Sequence, residues 1–105
     1  MCTLFKRGLL LACLIAPAAA WSDTSTGVKI DNFTFGPGTL NIDRGTMVTW
    51  TNQDDIPHSI VITALSVHSK ALDTDKAFSY QFDKAGKFAY ICGLHPSMKG
   101  TVVVK

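Results

Sequence analysis

Cys92, His95 and Met98 stand at three-residue intervals in "YICGLHPSM", residues 90–98. They bring a thiol, an imidazole and a thioether to one short stretch. Such donors can close around a single metal ion only if their atoms converge, because metal–donor bonds run about 2.0–2.3 Å. Two neighbours should help. Gly93 admits dihedrals closed to other residues, and Pro96 fixes its own φ and narrows the choices of His95. Both lower the entropy lost in arranging the ligands.

The softness of the donors selects the metal. Thiolate, thioether and imidazole together suit copper, which cycles between Cu(I) and Cu(II). A trigonal set of two His and one Cys with a long axial Met is a known copper geometry for electron transfer. It demands a second histidine from elsewhere in the chain, and His58 and His68 are the candidates. His58 follows Pro57 and precedes an apolar β run, where a side chain can be held rigidly. His68 lies in a polar stretch that offers less fixation and is read as a surface residue. We favour His58.

Other chemistries fit less well. Structural zinc sites favour several Cys or His ligands, and Met is unusual among them. Catalytic zinc would lack a general base, since the mature chain has no Glu and the Cys92–Met98 loop has no Asp. A cysteine hydrolase would pair Cys92 with a separated His and an orienting Asn or Asp. No motif supports that pairing, so the chain is not expected to be an enzyme.

The N-terminus is read as a leader. "MCTLFKRG" is a short basic region, "LLLACLIA" is apolar, and "APAAA" supplies the small residues a signal peptidase needs. We assign residues 1–20 to a signal peptide cleaved after Ala20, and therefore expect export to the periplasm. The apolar run is too short to span a bilayer, which takes about 20 such residues. A rival reading makes "LLAC" a lipobox that would leave a lipid on Cys13.

Removing the leader changes the balance of charge and sulfur. Lys6 and Arg7 leave with it, so eight cations face eight Asp and the formal net charge is zero. A nucleic-acid binder should instead carry a basic patch or stripe. Cys2 and Cys13 leave too, and Cys92 remains alone. Exported domains usually pair their cysteines as disulfides. An odd one suggests a reactive thiol, an intermolecular bridge or a metal ligand, or simply a buried small hydrophobe.

The elements that must position these donors read as β throughout. Residues 21–27 look like a flexible polar start. Val28 and Ile30 alternate with polar neighbours, and Phe33 and Phe35 resume the alternation after a slip that suggests a bulge. Leu40–Ile42, Thr46–Asn52, Ser59–Thr63, Phe78–Phe82, Lys87–Cys92 and Thr101–Val104 are further strand-like runs, separated by Gly, Pro and Asp turns. Trp50 and Met47 are expected in the core, and Asn52 on loop backbone. Residues 64–77 read as a loop with one helical turn, or as a short strand and loop. About seven short strands predict an all-β antiparallel sandwich or Greek-key barrel.

"WTNQDDIPHSI", followed 34 residues after its His by the Cys of "GKFAYICGLHPSMKGTVVV", resembles the cupredoxins, the type 1 blue copper proteins. The likeness covers residues 28–105. The Cys-x-x-His-x-x-Met spacing with Pro after the His looks most like the amicyanin branch. The resemblance implies a cupredoxin domain over 28–105 and one copper ion. It implies His58, Cys92 and His95 as equatorial ligands and Met98 as axial ligand. It implies single-electron transport between soluble redox partners such as a c-type cytochrome or a dehydrogenase, by a monomer, with electrons passing through His95 at a patch that Leu94, Pro96 and Pro57 could form. A copper carrier or buffer on the same scaffold is the alternative, although the chain has no Met- or His-rich tract. One departure stands out. That branch commonly has Asn after the first ligand His, and this chain has Ser59, so the side-chain tie between the ligand loops should be made differently.

Overall fold

The structure, a computed structural model, describes residues 25–105. The expected leader and residues 21–24 lie outside them. Nine strands run in chain order: β1 (Ser25–Asp31), β2 (Thr34–Gly36), β3 (Thr39–Ile42), β4 (Thr46–Asn52), β5 (Val61–Ile62), β6 (Val67–His68), β7 (Ala77–Phe82), β8 (Gly86–Ile91) and β9 (Lys99–Val104). They form two sheets, ordered β2-β1-β4-β7 and β3-β9-β8-β5-β6. The expected all-β sandwich is therefore present. It is mixed rather than purely antiparallel, because β1 runs parallel to β4 and β3 parallel to β9. No helix among the described residues is long and apolar enough to cross a membrane.

Alternation decides what faces inward. In β4, Thr46, Val48, Trp50 and Asn52 are buried while Met47, Thr49 and Thr51 are only partly so. Met47, expected in the core, thus lies on the opposite face from Trp50. The core is filled from one sheet by Val28, Ile30, Val48, Trp50 and Phe82, and from the other by Ile42, Phe88, Tyr90, Val102 and Val104. Trp50 stacks on Phe78 and meets the Tyr90 ring edge-on at 5.3 Å. Burial pushes the Tyr90 hydroxyl pKa up. Among the described residues neither the Tyr90 hydroxyl nor the Trp50 indole N–H finds a partner in hydrogen-bonding geometry.

Three local expectations are corrected. Ser25–Gly27, assigned to the flexible start, pair with Met47–Thr49, because an edge of β4 offers them a backbone ladder. The slip before Phe33 is a two-residue hairpin turn between β1 and β2, not a bulge: Asp31 pairs with Thr34, and Asn32 and Phe33 both have positive φ, 53° and 57°. Both values suit a turn whose twist matches that of the strands. The run 59–63 is strand only at Val61–Ile62 and then enters a 3-10 turn at Thr63–Leu65. Ser59 and Ile60 direct their amides elsewhere, to Cys92 Sγ and Ser69 Oγ. The ambiguous 64–77 contains the end of that turn, the short β6 and a loop.

Candidate metal centre

The loop Cys92–Met98 joins the antiparallel strands β8 and β9 just beyond their Ile91–Lys99 pair. It closes on itself, with the Cys92 amide donating to the Met98 carbonyl at 3.1 Å and the Met98 amide to the His95 carbonyl at 2.9 Å. Three candidate donors are therefore folded onto one small ring of backbone. Cys92 is fully buried and Met98 nearly so, whereas His95 is half-buried. His58 arrives from the other side of the sequence. Its backbone exchanges two hydrogen bonds with Leu72, at 3.2 and 2.6 Å. The Asn52 side-chain Nδ2 also donates to the Leu72 carbonyl and to that of Ile56, both at 2.8 Å. The His58 main chain is thereby held on both flanks.

Donor atoms of His58, Cys92 and His95 lie within 4.8 Å of one another. Cys92 Sγ is 3.5 Å from His58 Nδ1 and 3.8 Å from His95 Nδ1. A trigonal centre with metal–N near 2.0 Å and metal–S near 2.3 Å would set N and S about 3.7 Å apart. The three donors thus surround a space of the right size for a soft cation, and both imidazoles present the same nitrogen to it. His68 is exposed on the edge strand β6 and takes no part.

The ligand loops are tied by two bonds. The Ser59 amide donates to Cys92 Sγ at 3.4 Å, and the Gly93 amide donates to Ser59 Oγ at 3.0 Å. This is how Ser59 serves the tie. Gly93 is needed for space rather than for a left-handed φ, which among the described glycines only Gly45 and Gly86 adopt. A Cβ at residue 93 would meet Ser59 Oγ at 2.6 Å and Val61 Cγ2 at 3.1 Å. Gly93→Ala should therefore destabilise the copper-free protein by about 1–3 kcal/mol, as overpacking does. Adding Ser59→Ala removes the clashing oxygen, so the double variant should fall short of the sum of the singles by at least about 0.5 kcal/mol. Denaturant unfolding of the four proteins measures this, and strict additivity would refute the interlock.

Two residues that sequence reading passed over complete the site. Asp54, 9% exposed, bonds His58 Nε2 through Oδ2 at 2.8 Å. Its four-residue spacing from His58 was the available signal. It also accepts the amides of Phe33 and Asn32. The Phe33 amide is the chief cause that holds the Asp54 carboxyl below its usual pKa, with the His58 contact also lowering it and burial opposing. A depressed carboxylate stabilises the fold above its unfolded pKa, near 3.9, and that stability drains away as pH falls from there toward the folded value. Asp54→Asn should accordingly flatten the acid limb of copper-free unfolding below about pH 4. An unchanged limb would place the linkage elsewhere. The other residue is Phe33, half-exposed, whose ring stands edge-on to His58 at 5.6 Å and to His95 at 5.3 Å.

Comparison with known proteins agrees with this geometry. The family model described as a cupredoxin-like domain matches residues 6–104. Amicyanin-alpha of Methylorubrum extorquens is 36% identical over 103 residues, covering 93% of this chain and 82% of that protein. Chloroplastic plastocyanin of Tetradesmus obliquus is 31% identical over 104 residues, covering 87% and 72%. A solved Cu(I) form of an amicyanin variant superposes with a TM-score of 0.74 at 31% identity, covering 84% of this chain and 89% of that one.

Proposed function

The chain belongs to the cupredoxin-like family, and from that premise we propose that it carries single electrons between redox proteins as a type 1 copper protein. His58, Cys92, His95 and Met98 would hold the ion. Copper, when bound, supplies the one-electron Cu(I)/Cu(II) couple. The observation that carries the reading is the convergence of a buried thiol and two Nδ1 atoms at 3.5 and 3.8 Å. As in its electron-carrying relatives, the chain's work is to hold ligands rather than to turn over a substrate.

The protein's contribution is stiffness. The Leu72 bridge fixes the His58 backbone, and the Ser59 amide fixes the Cys92 sulfur. Ligands held this way change little between oxidation states, so the frame keeps the cost of each transfer small. His95 is the half-buried ligand and the route in and out. Phe33 and Leu94 are the two large hydrophobics most exposed among the described residues; Phe33 stands edge-on to His95, Leu94 and exposed Pro96 flank it in the chain, and exposed Pro57 precedes His58. A small apolar patch of this kind suits brief docking with fast release. We propose a c-type cytochrome or a dehydrogenase as partner, and the periplasm, reached through cleavage of residues 1–20, as the compartment. The mature chain works as a monomer.

Adding Cu(II) to the purified mature protein tests the reading. Intense blue absorption that bleaches and returns on reduction and reoxidation is the expected result. Colourless, readily lost Cu(I) would instead indicate a copper carrier.

A further inference from the structure

Phe33 is a costly choice for its position. It is a large apolar residue, 51% exposed, at a turn position with φ 57°, a region that bulky side chains seldom occupy. Asn or Gly is usual in such turns. Something must hold the turn in place, and among the described residues the carboxylate bonded to it is that of Asp54, more than twenty residues away in sequence.

Asp54 Oδ1 accepts the Asn32 amide at 2.6 Å, and Oδ2 accepts the Phe33 amide at 2.9 Å. Oδ2 also lies 2.8 Å from His58 Nε2. Because Nδ1 of that ring faces Cys92 Sγ, Nε2 is the nitrogen left to carry hydrogen and donate, the arrangement that fixes ring orientation in histidine ligands. Asp54 is itself held at both ends of its peptide. Its amide donates to Asn52 Oδ1 at 2.8 Å, and its carbonyl accepts Thr74 Oγ1 at 2.6 Å. The carboxylate cannot swing to follow one donor without releasing the others.

We propose that Asp54 is a positioning residue that clamps the Asn32-Phe33 turn to the His58 ring, so that the aromatic lid over both histidines and a buried metal-binding imidazole move as one body. The clamp rests on the copper reading for its purpose but not for its existence. Two consequences follow. Phe33 shields the edges of both imidazoles from water, which holds the ligands in place when copper is bound. A partner that presses on Phe33 presses, through one carboxylate, on the His58 ring as well. The exposed docking contact and the buried ligand are thereby joined by a path two hydrogen bonds long.

The test has one arm without metal and one with it. In the copper-free full-length mature protein, the amides of Asn32 and Phe33 should exchange with solvent deuterium far more slowly than free turn amides. Asp54→Asn, which keeps the volume but gives up acceptor capacity, should speed that exchange at least about 10-fold. In the copper-loaded protein, transfer of metal to a strong chelator should accelerate about 10–100-fold in Asp54→Asn, the usual cost of losing a partner behind a histidine ligand. Phe33→Ala should accelerate it less. The double variant should release copper no faster than Asp54→Asn alone, since both changes break the same unit. Unprotected Asn32 and Phe33 amides in the wild-type protein would overturn the clamp without any variant having to fold. So would effects of the two substitutions that multiply independently. If no variant, wild type included, ever took up copper, the functional reading would fail while the exchange measurements still judged the clamp.

Discussion

Replacing Cys92 with serine should abolish the blue absorption and weaken copper binding by more than about 100-fold, the upper end of what losing a mere outer partner of a ligand costs. The thiolate is the soft donor on which the selection of copper depends. Cys92 is the sole cysteine among the described residues and is fully buried. A serine hydroxyl in its place is hard, neutral and shorter in reach, and leaves two imidazoles and a thioether to hold the ion. The fold should survive. The Ser59 amide, which donates to Cys92 Sγ, would find an oxygen acceptor there instead. Thermal unfolding of the copper-free variant should move only a few degrees, since about 1 kcal/mol shifts a domain of this size by roughly 4–8 °C. Absorption spectroscopy and competition against a chelator give the two readouts. Undiminished colour and affinity in Cys92→Ser would remove the basis of the proposed site.

Trp50→Ala should produce the largest loss of stability, about 3–5 kcal/mol. Trp50 is fully buried and packs against Phe78, Phe82 and Tyr90, so deleting its ring opens a void between the two sheets at their centre. Stabilities of about 0.05–0.15 kcal/mol per residue make such a loss a large share of what holds the described residues folded. Its companion, Trp50→Phe, should cost much less. Phenylalanine keeps most of the ring and dispenses with an indole N–H that is buried without a partner, a group whose desolvation opposes folding. Bound copper should restore part of the loss in Trp50→Ala, because a ligand of the native state adds stability in proportion to the logarithm of its concentration over its dissociation constant. Chemical denaturation with and without copper measures both terms. A loss below about 1 kcal/mol in the copper-free Trp50→Ala protein would mean that the sheets do not depend on this ring.

The ligand loop and most strands were legible in the sequence because they are local properties. Cys92, His95 and Met98 lie within seven residues, and a loop closed by its own backbone bonds must bring them together. The β character of 28–30, 46–52 and 87–92 follows from alternation and β-branched content. Pairing is different. That β1 runs parallel to β4, or that Ser25–Gly27 join the sheet, depends on partners about twenty residues distant whose identity no local period encodes. Alternation puts Met47 and Trp50, three residues apart, on opposite faces of β4, and packing decides only that the face of Trp50 is the inner one. Phe33 gave a misleading signal: it continues an alternating pattern, yet its positive φ turns it out of the sheet and over the histidines.

What the sequence by itself determined was the chemistry: the Cys92 thiol, a neighbouring imidazole and thioether, and an all-β frame to carry them. Its flanking residues also favoured His58 as the second imidazole, and what only the tertiary structure decided was which carboxylate stands behind that ring and which aromatic covers it. His58 and His68 are alike as residues. One is buried 3.5 Å from the sulfur and the other exposed on an edge strand, because convergence in space is fixed by sheet pairing and loop closure, and residue type records neither.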